Sequence, residues 1–183
     1  MLDFLLSMVE TEEDADLVTK LFNNYRKLMF HIAFNVLNNS HDAEDAVSDA
    51  FVRIIKNLDK VRDPASPETR GFVTIVVKHT AIDIYKKNKN DEHIDFDDIY
   101  DLGKDYIEED FFKEYDKAVL YKAMNRLYEN YRHILLLKYF YDMSISKISE
   151  LLDISVDATK QRIHRAEQSL LKLLTEDDVD EQK

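Results

Sequence analysis

Between Asp14 and Leu37 apolar side chains recur every three or four residues, at Leu17, Leu21, Tyr25, Leu28, Ile32 and Val36. Val18, Phe22, Met29 and Ala33 widen that stripe, so the spacing predicts one long helix with a broad buried face. Asn38-Asn39-Ser40-His41 interrupts it, and Ser40 or Asp42 is placed to cap a second helix reaching about Leu58. Ala43, Val47, Ala50, Phe51, Ile54 and Leu58 form its inward side. Asp63 to Pro67 is a loop, and Ser66-Pro67 pairs a capping residue with the proline favoured in a first turn. A third helix is therefore predicted from there to about Lys87, burying Phe72, Val73, Val76, Val77, Ala81 and Ile84. The helical period then stops. It resumes with Phe112, Tyr115, Val119, Met124 and Leu127, and again from Tyr131 to Tyr139.

The pattern sharpens between Ser144 and Ser169. Ser144 caps a short helix whose stripe is Ile145, Ile148, Leu151 and Leu152. Asp153-Ile154-Ser155 makes a tight turn: Asp153 stands where positive φ is often required, Ile154 fills the angle, and Ser155 caps the next helix. That helix is predicted to bury Val156, Thr159, Ile163, Ala166 and Leu170. Lys160, Gln161, His164 and Arg165 then share its other face, long donors with the spacing that lays one helix in a DNA major groove. This is a helix-turn-helix pattern.

Composition narrows the class. Two Gly and two Pro in 183 residues leave little room for hairpin turns, so the expected fold class is all-α, and 45% hydrophobic content supports real cores. With no Cys, disulfides, thiolate zinc sites and catalytic thiols are excluded. No apolar run approaches the roughly 18 residues of a membrane span, and the first residues lack a basic flank. A soluble, cytoplasmic protein without membrane insertion is expected.

A formal charge of −12 is unusual for a DNA binder, but the acid is unevenly placed. Residues 1–90 carry 14 acids and 12 bases, residues 91–117 carry 12 and 3, and residues 118–174 carry 6 and 9. The helix-turn-helix end is thus locally basic, while Asn90 to about Asp110 is too acidic to pack a core. The expected organisation is a helical domain at 1–89, an acidic linker at 90–111, a second helical domain at 112–174 and a disordered acidic tail at 175–183. With few phosphates neutralised, affinity for DNA alone should be modest, which implies a partner bringing its own grip on DNA.

Two separated blocks carry a resemblance. Asp42-Ala43-Glu44-Asp45-Ala46-Val47-Ser48-Asp49-Ala50-Phe51-Val52-Arg53-Ile54 resembles a helix of conserved region 2 in the extracytoplasmic-function (ECF, group 4) sigma factors of bacterial RNA polymerase. Thr69-Arg70-Gly71-Phe72-Val73 and Ala81-Ile82-Asp83-Ile84-Tyr85-Lys86-Lys87 resemble the stretch that reads and melts the −10 element. Tyr131 to Tyr139, with the helix-turn-helix ending in His164-Arg165-Ala166, resembles region 4, which reads the −35 element. Ser48, Phe72, His79, Lys86, Lys87 and Asp153 depart from the residues usual at those positions, as do Ala158 and Thr159.

The resemblance implies an initiation factor and not an enzyme, with core RNA polymerase and promoter DNA as partners, an anti-sigma factor as a further expected partner, and no cofactor, metal or small-molecule substrate. It implies −35 contacts from Lys160, Gln161, His164 and Arg165, and −10 contacts from His79, Asp83, Tyr85, Lys86, Lys87 and Lys89. Glu44, Asp45 and Asp49 become a surface for docking core polymerase, while Phe72 is expected in the core.

Two other classes compete. A stand-alone helix-turn-helix regulator would dimerise and bind a palindrome unaided. A helical His-Asp metal phosphohydrolase would use His31, His41, Asp42 and Asp45, although that chemistry needs a further Asp and a second His facing the metals.

Overall fold

The computed structural model describes residues 1–89 and 117–180, and the chain divides into two compact units, Met1–Asp95 and Phe96–Lys183. Every regular element among the described residues is helical. The expected linker, and the start of the helix expected from Phe112 and Tyr115, lie outside the described residues.

In the first unit α1 (Leu2–Leu6) precedes α2 (Glu12–Leu37), α3 (Ser40–Ile55), a 3-10 turn at Leu58–Lys60 and α4 (Pro67–Lys89). Thr11 caps α2 by accepting from the Asp14 amide at 3.1 Å, while its hydroxyl donates to the Asp14 carboxylate at 2.7 Å. At the far end Asn38 takes a left-handed conformation, φ 49°, and closes the helix. The residue that caps α3 is Asn39, which accepts from the amides of His41 and Asp42, and not Ser40 or Asp42 as the sequence predicts. In a run of four polar residues the left-handed Asn38 sets where the chain turns, one position earlier than composition indicates.

Helices α2, α3 and α4 each pack on the other two. Val18, Leu21, Met29, Val47, Phe51, Ile54, Phe72, Val73 and Val77 fill the space between them, each at most 1% exposed. Helix α4 is buried at every position from Ile75 to Ile82, including Lys78, His79 and Thr80. An encircled helix cannot be recognised from a one-sided stripe. Leu2, Leu5 and Leu6 form a short stripe on α1, whose Leu5 is fully buried.

The second unit contains α5 (Lys117–Arg126), α6 (Glu129–Leu135), a π-helical turn (Leu136–Phe140), α7 (Ile145–Leu151) and α8 (Val156–Asp180). Helices α5, α6 and α7 all pack on α8. The helix expected from Tyr131 to Tyr139 instead starts at Glu129 and widens at Leu136, where the amides of Tyr141 and Met143 reach back to the carbonyls of Leu136 and Leu137. Helix α8 continues to Asp180, past Thr175 where disorder is expected, because no glycine or proline there stops it.

Candidate nucleic-acid interface

The turn between α7 and α8 is built by local chemistry. Ser144 accepts from the Lys147 amide at 3.2 Å and Ser155 from the Ala158 amide at 3.1 Å, so each helix of the motif begins on a serine cap. Asp153 takes φ 52°, turning the chain between them as the sequence predicts. Ile148 and Leu151 from α7, with Leu152 at its C-cap, are buried with Thr159, Ile163 and Ala166 from α8. The Thr159 hydroxyl is satisfied within the helix by the Ser155 carbonyl at 3.0 Å. Three expected core positions differ. Val156 is 42% exposed because it opens α8 at the outer edge of the turn, and Ile145 and Leu170 are half-buried.

Burying that side leaves Lys160, Gln161, His164 and Arg165 exposed together on the other. The Lys160 ammonium lies 3.5 Å from the Asp157 carboxylate with both side chains well exposed, a pairing weak enough to exchange for phosphate. The face offers one amide, one imidazole and two cations, a set that suits base edges and phosphates.

The first unit holds the other predicted residues, and here they separate. Tyr85, Lys86, Lys87 and Lys89 lie in the last turn and a half of α4, with Lys87 and Lys89 exposed and the Lys89 ammonium 5.8 Å from the centre of the Tyr85 ring. His79 does not join them. At 1% exposed, two turns further back, it offers no edge to a base. Asp83 is held by Arg53 of α3 at 3.1 Å, with both side chains about three-quarters covered, so its carboxylate ties α4 to α3.

The acidic side of α3 is partly self-satisfied. Arg26 of α2 reaches both carboxylate oxygens of Glu44, at 3.0 and 3.2 Å, and stacks its guanidinium over Phe22 at 5.7 Å. Asn88 donates to Asp42 at 2.9 Å, closing α4 onto α3. Asp45 and Asp49 remain exposed, Asp45 beside His41 at 3.2 Å. Arg26, Arg53 and Asn88 meet residues 18 to 46 positions away, pairings that no local spacing reveals.

His41, Asp42 and Asp45 bring ligand atoms within 4.8 Å of one another, the one such cluster among the described residues. They sit on a single solvent-facing turn, and His31 of α2 is not among them. An open groove of about 810 Å³ between α1, the start of α2 and Val61 to Pro64 shares none of these residues. Among the described residues the cluster therefore lacks the second His that the hydrolase chemistry needs.

Residues 21–90 match the family described as Sigma-70 region 2, and residues 117–170 match Sigma-70, region 4. RNA polymerase sigma factor SigV of Bacillus subtilis (strain 168) is 28% identical over 172 residues, covering 94% of this chain and 99% of that protein. The ECF RNA polymerase sigma factor SigW of the same organism is 27% identical, covering 88% and 90%. Among solved structures, sigma factor RpoE in complex with the anti-sigma factor NepR from Bartonella quintana is 18% identical, covers 87% of this chain and 94% of that one, and has a TM-score of 0.39.

Proposed function

Because the chain belongs to the extracytoplasmic-function class of RNA polymerase sigma factors, we propose a division of labour in which its two helical units recognise the two halves of a promoter on behalf of core polymerase. The second unit reads the −35 element through Lys160, Gln161, His164 and Arg165. One observation carries this reading: four polar, exposed side chains share one face of a helix whose opposite side is locked by Thr159, Ile163 and Ala166. Gln161 and Arg165 have the donor geometry for adenine and guanine edges, while Lys160 and His164 suit phosphates.

The first unit handles the −10 element at the end of α4. Lys86, Lys87 and Lys89 follow the backbone of a separated strand, and Tyr85 supplies a ring on which a base can stack. His79 and Asp83 act indirectly, by fixing α4 in the bundle. Core polymerase docks on α3 through Asp45 and Asp49, with Glu44 oriented by Arg26.

Core polymerase provides most of the grip on DNA, which is how a chain of charge −12 serves a promoter. Acting at promoters, the protein works in the cytoplasm as an initiation factor and not as an enzyme. No helix among the described residues is long and apolar enough to cross a membrane. An anti-sigma factor is the expected regulator, as for the class. The test is co-purification. Wild-type chain should retain core polymerase and the Asp45→Lys, Asp49→Lys double variant should lose most of it, whereas tight duplex binding by the isolated chain would favour a stand-alone regulator.

A further inference from the structure

The segment leading into the helix-turn-helix is irregular. In the π-helical turn Leu136–Phe140, Leu136 and Leu137 are buried while Tyr139 is 64% exposed. Wide turns of this kind inside helices are frequently found at functional sites. From this turn the Tyr139 hydroxyl donates a hydrogen bond to Oε1 of Glu167 on α8. That bond, followed by partial burial, raises the phenol's pKa above its ordinary value, so the oxygen keeps its proton and remains the donor.

Glu167 lies three residues after His164 and seven after Lys160, which places it on the flank of the exposed face. It is also the one acid on α8 between Asp157 and Glu176. At the helical rise its position is about 10 Å along the axis from Lys160. From His164 the rise is only about 4.5 Å, well inside the roughly 8 Å Debye length at physiological salt, so its charge is felt by a phosphate at the readout face.

We propose that Tyr139 is a positioning residue for −35 readout: by holding the Glu167 carboxylate against the π-helical turn, it keeps the flanking negative charge away from promoter phosphates. This rests on the assignment of Lys160, Gln161, His164 and Arg165 as the −35 face. The turn gives the phenol its reach, and the bond links the recognition helix to the segment that precedes the motif.

The test uses holoenzyme reconstituted from the full chain and core polymerase, on a promoter selected by run-off transcription from host DNA. Promoter affinity is measured for wild type, Tyr139→Phe, Glu167→Gln, the double variant and Arg165→Ala, with affinity for core polymerase measured separately. Tyr139→Phe should lower promoter affinity about three- to tenfold at low salt, and less at high salt, with core affinity unchanged. Glu167→Gln should restore the loss in the double variant, which a merely loosened helix would not permit. Wild-type affinity for Tyr139→Phe, or a loss that Glu167→Gln leaves in place, overturns the proposal. Arg165→Ala separates the two levels. If it weakens binding while Tyr139→Phe does not, only this inference fails; if neither weakens binding, the assignment of the −35 face fails with it.

Discussion

Gln161 and Arg165 each present two donors, or a donor and an acceptor, from a helix whose other side cannot rotate without unpacking Thr159, Ile163 and Ala166. Replacing either with Ala should cost the holoenzyme about 1–3 kcal/mol of discrimination at one −35 base pair. Binding measured across a set of single-base promoter variants checks this, and a uniform loss over all variants would mark a phosphate contact instead. Asp153 offers a second residue-level prediction. It holds φ 52°, a region that Asp tolerates better than most residues but that Gly enters without steric cost. Asp153→Gly should raise the unfolding free energy of the second unit by about 0.5–1 kcal/mol in urea titration. The exposed stripe and the turn were legible in the sequence, because both are local patterns. His79 was not, since its burial follows from the encirclement of α4 and its spacing is no different from that of an exposed residue.

At the scale of elements, caps and cores make separate demands. Ser155→Ala removes the acceptor for the Ala158 amide and should destabilise the second unit by about 1 kcal/mol. Phe51→Ala, at a 1% exposed position whose ring lies 5.5 Å from that of Phe22, should cost the first unit about 3–5 kcal/mol. Each loss is read by urea unfolding followed separately for the two units; a Phe51→Ala loss below 1 kcal/mol would mean the α2–α3–α4 core is not closed around that ring. Helix existence, the helix-turn-helix and most buried positions were legible because they depend on period and capping chemistry. The π-helical turn was not, since one extra residue in a helix leaves the apolar spacing of Ile134, Leu135, Leu136 and Leu137 unchanged. Cross-helix clasps such as Arg26 with Glu44 and Arg53 with Asp83 were equally hidden, because they depend on tertiary register.

At the scale of the whole molecule, charge decides how the chain must work. A net −12 works against DNA binding by the free chain, although Lys86, Lys87 and Lys89 at the end of α4 and Lys160, Arg162, Arg165 and Lys172 on α8 make locally basic stretches. On the proposed division of labour, specificity resides in this chain and most of the affinity in its polymerase partner. The most direct test is run-off transcription on fragmented host DNA with core polymerase, with and without the protein. The account predicts discrete transcripts that begin at a shared pair of upstream sequence elements and appear only when chain and core are combined. Unchanged transcription on adding the protein, alongside tight sequence-specific DNA binding by the chain alone, would contradict it.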